Sequence, residues 1–164
     1  MPDQRLLETL RQVRFLRDID DEYLEQIAEV AKLVEFPVGK VIFREGEPFA
    51  HFFLIVSGSV SLEICAPGVG CKRMHTVADG DLLGISTVLE QTRLTATART
   101  LSDTVAVQLN AGQILTMCEH NPRFGYEFMR RAALALAMRL SGTRLQLIDV
   151  YGSSLPTISQ EPTS

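Results

Sequence analysis

Apolar residues in the first forty positions recur at steps of three and four. Leu6, Leu7, Leu10 and Val13 form one set and Leu24, Ile27, Ala28 and Ala31 a second, the spacing of amphipathic helices with one packed face. Asp20 precedes the second set and predicts its N-cap, with Asp21 and Glu22 complementing the helix dipole. From residue 33 the period changes. The runs KLVEF, KVIFRE, FFLIVSGSVSLEIC, CKRMHTVA and TVAVQL are β-rich and bounded by Gly, Pro or Asp, at intervals of about 8 to 12 residues that predict an antiparallel sandwich or barrel. APGVG at residues 66–70 is hairpin chemistry, with Pro67 fixing one turn position and Gly68 free to take positive φ. After Asn121-Pro122 the helical period resumes and runs to about Tyr151. Within it Met129, Ala133, Leu136, Leu140, Thr143, Leu147 and Val150 alternate steps of four and three, the seam of a coiled coil and the expected interface of a parallel homodimer. The pattern predicts a single domain over 1–151: N-terminal helices over 1–32, strands over 33–110 and C-terminal helices over 111–151. A flexible polar tail is expected over 152–164.

Composition narrows the function classes. The chain has 164 residues, 46% hydrophobic and 22% charged, with a formal charge of -4, so it can bury a core of its own and lacks the positive charge of a general nucleic-acid-binding surface. No apolar run approaches the roughly 20 residues needed to span a bilayer, and the acidic, amphipathic start MPDQRLLETLRQV does not read as a signal peptide. Three cysteines at no metal-ligand spacing point to a reducing compartment. Cys65 and Cys71 flank the hairpin tip and are expected opposite one another as free thiols. These features predict a soluble, cytoplasmic protein without nucleic-acid or membrane partners. Enzymatic chemistry finds no footing: Cys118, Glu119 and His120 are sequence neighbours and do not converge, and His51, His75 and His120 are scattered. No catalytic or metal site is expected.

The stretch LGISTVLEQTRLTATA, residues 83–98, combines a turn glycine, hydroxyls and one arginine. Such residues suit an anion, because bare backbone N–H groups and a guanidinium both bind phosphate. Around it, FPVGKVIFREGEPFAHFFLIVSGSVSL over 36–62 carries glycines at Gly39, Gly46 and Gly58, GDLLG follows at 80–84, and TATARTLSD at 95–103. Together with the two opening helices and the long terminal one, these motifs resemble the cyclic nucleotide-binding domain family. The resemblance runs from about Phe15 to Tyr151 and implies an α+β fold: an antiparallel β-roll of jelly-roll type, N-terminal helices and a long C-terminal dimerisation helix. It also implies a bacterial sensory or regulatory role in which cyclic nucleotide binding moves the long helix.

In that family a Gly-Glu pair opens the phosphate cassette and a Pro-Arg pair closes it, the glutamate holding the ribose and the arginine the phosphate. Anchored on Gly84 and Thr95, the alignment places Ile85 at the glutamate position, Leu94 at the arginine position and Arg93 at the proline position. The candidate cassette is Gly84, Ile85, Ser86, Thr87, Arg93, Leu94 and Thr95, with Thr143 as the residue that would reach a ligand from the C-terminal helix. Both charged hallmarks are absent, so cyclic AMP or GMP is expected to bind weakly or not at all, and no other cofactor is expected. Ile85→Glu with Leu94→Arg is expected to raise affinity. Arg93 stands as an alternative phosphate partner or a solvated surface residue, and the hydroxyls as a neutral pocket or local turn caps. The catabolite-activator branch continues past the long helix into a DNA-binding module, whereas only 13 residues follow Tyr151. The expected function is a stand-alone regulatory domain that signals to an unknown protein partner. The alternatives are a scaffold with an empty pocket or a sensor of another small anion.

Overall fold

The computed structural model describes residues 3–89, 94 and 96–159. Two helices, α1 (Gln4–Gln12) and α2 (Asp21–Val30), open the chain, separated by a 3₁₀ turn at Arg14–Leu16. Asp3 caps α1 through the Arg5 N–H. Asp20 sits at the N-cap of α2, as its position predicts, but its side chain makes no capping bond.

Eight strands follow: β1 (Ala31–Phe36), β2 (Val41–Phe43), β3 (His51–Ser57), β4 (Val60–Ala66), β5 (Gly70–Val77), β6 (Leu82–Leu83), β7 (Thr97–Thr100) and β8 (Thr104–Asn110). Ala31 thus belongs to a strand, where it pairs with Leu109, and not to the second helix. The strands form two four-stranded antiparallel sheets in the orders β1-β8-β3-β6 and β2-β7-β4-β5. This is the expected mixed fold with an antiparallel β-roll. Gly39, Gly46, Gly58 and Gly80 all have positive φ, as the strand-reversal reading requires. Gly58 is the most constrained, since an added Cβ would lie 2.6 Å from Thr104 Oγ1 and 2.8 Å from the Asp103 carbonyl oxygen.

The run Phe52–Ile55 shows why the first sheet lacks a polar face. Phe52 and Leu54 join a cluster with the helices, whereas Phe53 and Ile55 join the cluster inside the roll with Phe43, Val60 and Leu83. A strand covered on both sides reads as a continuous apolar run because alternate side chains enter different cores.

Beyond the roll lie α3 (Ala111–His120) and α4 (Pro122–Tyr151), capped by Asn110 and Asn121 through the Gln113 and Phe124 N–H groups. Gly125 lets α4 approach α3, because a Cβ there would lie 3.0 Å from the Cys118 carbonyl oxygen. The buried residues of α4 are Phe124, Gly125, Phe128 and Ala132, all in its first half. Its apolar residues past Arg139, among them Leu140, Leu145, Leu147, Ile148 and Val150, are exposed.

The β4–β5 hairpin brings Cys65 opposite Cys71, as expected, but a disulfide joins them. The free-thiol expectation is therefore corrected: the register that sets the two residues face to face also brings their sulfurs within bonding distance.

Candidate functional site

The cassette begins where β6 ends. Gly84 adopts φ 84, a left-handed turn that favours glycine, and starts a single 3₁₀ turn at Ile85–Thr87. Thr87 Oγ1 donates to the Gly84 carbonyl at 3.0 Å and to the His51 carbonyl at 3.3 Å. Of the two readings of these hydroxyls, Thr87 takes the one in which it caps a local turn.

Ile85 and Leu94 are each only 4% exposed, and they lie in different cores. Ile85 belongs to the helix-side cluster with Phe52, Leu82 and Val88, whereas Leu94 belongs to the interior of the roll with Phe43, Phe53 and Leu83. The first sheet runs between them. Leu94 is held by its backbone: the Gly46 N–H donates to its carbonyl at 2.8 Å, and its own N–H donates to the Glu47 carbonyl at 3.1 Å. Arg93 and Thr95 lie outside the described residues.

The expected helix residues divide. Met129 and Leu136 lean on the core of their own chain, whereas Ala133, Leu140, Leu147 and Val150 are exposed. Thr143 is exposed too, and its hydroxyl donates to the Arg139 carbonyl one turn back at 3.0 Å.

Two arginines that the sequence pattern did not single out fasten α4 to the rest of the molecule. Arg131 donates to the Arg17 carbonyl at 2.6 Å, and Arg139 donates to the Leu82 carbonyl two residues before Gly84. Arg139 borders a cavity of about 420 Å³ together with Arg14, Phe15, His75, Asp81 and Met138. Burial pulls the Arg139 guanidinium below its ordinary range, and Asp81 offsets part of that. Burial, then the Arg139 charge, lowers His75, with Asp81 again opposing. A second cavity of about 430 Å³ lies between residues 17–20, just before α2, and the first turns of α4, lined by Asp18, Arg123 and Arg130 among others. Among the described residues no group of three or more His, Cys, Asp or Glu side chains could hold a metal, and no helix is long and apolar enough to cross a membrane.

The pattern of the cyclic nucleotide-binding domain matches residues 33–121, more than half of the chain. The chain belongs to the cyclic nucleotide-binding domain family. The CRP-like cAMP-activated global transcriptional regulator of Mycobacterium tuberculosis is 23% identical over 149 residues, which cover 91% of this chain and 65% of that protein. The chain therefore spans about two thirds of the length of that curated relative. Among solved structures, a candidate cyclic nucleotide-binding protein of Geobacter metallireducens GS-15 is 29% identical with a TM-score of 0.72, covering 81% of this chain and 96% of the other. The regulatory subunit of a cAMP-independent protein kinase A from Trypanosoma brucei, a triple mutant with cAMP in its A site, shares the fold at 22% identity. Its TM-score is 0.59, over 76% of this chain and 49% of that one. The CRP-like regulator and the kinase regulatory subunit named above are regulatory proteins.

Proposed function

We propose that this chain is a non-catalytic regulatory domain whose cassette does not hold a cyclic nucleotide and whose output is the position and pairing of α4. The observation that carries this reading is the burial of Ile85 and Leu94 in two separate apolar cores. A phosphodiester placed against Leu94 would lose its hydration and gain no charge from that side chain, at a cost of several kcal/mol. The exposed apolar residues of α4 support a parallel homodimer along Ala133, Leu140, Thr143, Leu147 and Val150, with Met129 and Leu136 at its root. A protein partner reads that helix pair. Calorimetric titration with cyclic AMP and cyclic GMP is the test, and no saturable heat in the micromolar range is the expected result. Micromolar binding abolished by Arg93→Ala and untouched by Leu94→Ala would overturn the alignment and assign the phosphate to Arg93.

Arg139 favours a second reading, in which the regulator senses a different small anion. Its partly buried charge borders a cavity that also has apolar walls at Phe15 and Met138, a combination that suits a carboxylate with an apolar body. Hexanoate is a suitable probe, and its binding should be lost in Arg139→Gln. Saturable hexanoate binding that survives Arg139→Gln would count against this second reading.

A further inference from the structure

The β4–β5 hairpin carries chemistry that neither the cassette nor α4 uses. Cys65 and Cys71, six residues apart, are exposed at its tip and joined by a disulfide. Lys72 and Arg73 follow Cys71 directly, and positive charge beside a disulfide favours the approach of an attacking thiolate. Cys118 stands apart from this chemistry. It is half-buried on α3, and burial followed by the Glu119 charge pushes its thiol up.

A short series of hydrogen bonds connects the hairpin to the cassette. The Cys65 N–H donates to Glu45 Oε2 at 3.4 Å, and the Glu45 N–H donates to Thr97 Oγ1 at 2.9 Å. The two following residues, Gly46 and Glu47, hold both backbone groups of Leu94. The strand position of Cys65 thus bears on the loop that fixes Leu94.

We propose that the Cys65–Cys71 pair is a redox-responsive clasp that exchanges with a dithiol carrier and sets the order of the 44–47 loop and of Leu94. In the reducing direction a thiolate of the carrier attacks one sulfur of the pair, breaking the Cys65–Cys71 bond and releasing the other sulfur as a thiolate that takes up a proton. The carrier's second thiol, deprotonated, then displaces the first protein sulfur from the mixed disulfide. The protein gains two electrons and two protons, and the carrier leaves as its own disulfide. Oxidation is the reverse, with the carrier's disulfide form as the oxidant.

The test uses the purified, oxidised chain treated with reduced thioredoxin or with dithiothreitol. Alkylation in denaturant followed by mass spectrometry should label Cys118 alone before treatment and all three cysteines after it. Amide hydrogen exchange should then rise about tenfold at Glu45, Gly46, Cys65 and Leu94, because the clasp no longer restrains local opening. Cys65→Ser with Cys71→Ser should exchange at the reduced rate whether or not reductant is present. Equal exchange at residues 44–47 in the oxidised and reduced wild type, or a pair that stays oxidised against reduced thioredoxin, would overturn the proposal. The comparison of the two wild-type states stands even if the double variant does not fold.

Discussion

Leu94→Ala separates a residue that fills a core from one that lines an open binding site. The Leu94 side chain is 4% exposed and packs in the interior of the roll with Phe43, Phe53 and Leu83. Its backbone is fixed on both sides by Gly46 and Glu47, so the site has little freedom to collapse around a lost side chain. Leucine-to-alanine changes in cores cost about 2 to 5 kcal/mol, with the larger losses where a cavity remains. About 3 kcal/mol is expected here, equivalent to roughly a hundredfold in the folding equilibrium. For a domain of this size that lowers the melting temperature by about 6 to 12 °C. Equilibrium urea unfolding at one fixed protein concentration measures it, since pairing through α4 would make stability depend on concentration. A loss under about 0.5 kcal/mol, typical of a surface position, would refute the reasoning and place Leu94 against open space. The same packing changes the outlook for Ile85→Glu with Leu94→Arg, which the alignment alone presents as a restoration. Each charge would enter a different apolar core, so the double variant should lose stability before it gains any affinity.

Leu140→Asp places a charge in the middle of the α4 seam and should shift the species seen by sedimentation velocity from dimer to monomer; a variant that sediments as the wild type argues against pairing through α4. Gly58→Ala should cost more than about 2 kcal/mol in urea unfolding, because its Cβ would fall within 2.8 Å of the Asp103 carbonyl oxygen at φ 113. A near-neutral effect would mean that the β3–β4 turn can rearrange. His75 has a lowered folded-state pKa, so the folded state favours its neutral form. Its contribution to stability is complete above the unfolded value of about 6.5 and is lost as pH falls through the lowered one. His75→Gln should flatten that part of the stability profile, and an unchanged slope below pH 6.5 would assign the dependence to other groups.

Much of the architecture was legible because glycine spacing and the change of hydrophobic period are local signals. Gly39, Gly46, Gly58 and Gly80 mark strand reversals directly, and Asn121-Pro122 marks the start of α4. The environment of the cassette was less legible. A linear alignment sets Ile85 and Leu94 in one cassette, but β6 has side chains in both cores, and the two positions fall on opposite sides of its sheet. That separation depends on which face of a doubly covered sheet each residue takes, and no local pattern encodes it. Arg131 and Arg139 were missed for a related reason. Their acceptors are backbone carbonyls at Arg17 and Leu82, more than fifty residues away in each case, and a carbonyl leaves no mark in a sequence. The facing of Cys65 and Cys71 was legible from the hairpin tip, whereas their disulfide was not, because a cysteine count speaks to the compartment and not to one particular pair.

The placement of the two arginine tethers makes α4 a lever. The helix has 30 residues and a length of about 45 Å, and among the described residues Arg139 is the last side chain along it with a hydrogen bond to the roll. The segment from Leu140 to Tyr151 extends about 18 Å past that fulcrum. A tilt of roughly 10° about Arg139 would sweep its tip through about 3 Å, enough to take apolar side chains out of register with those of a second helix. A change at the Leu82 carbonyl, beside the cassette, that tilts the helix about this contact is therefore felt most at the far end, on the surface that a partner would touch.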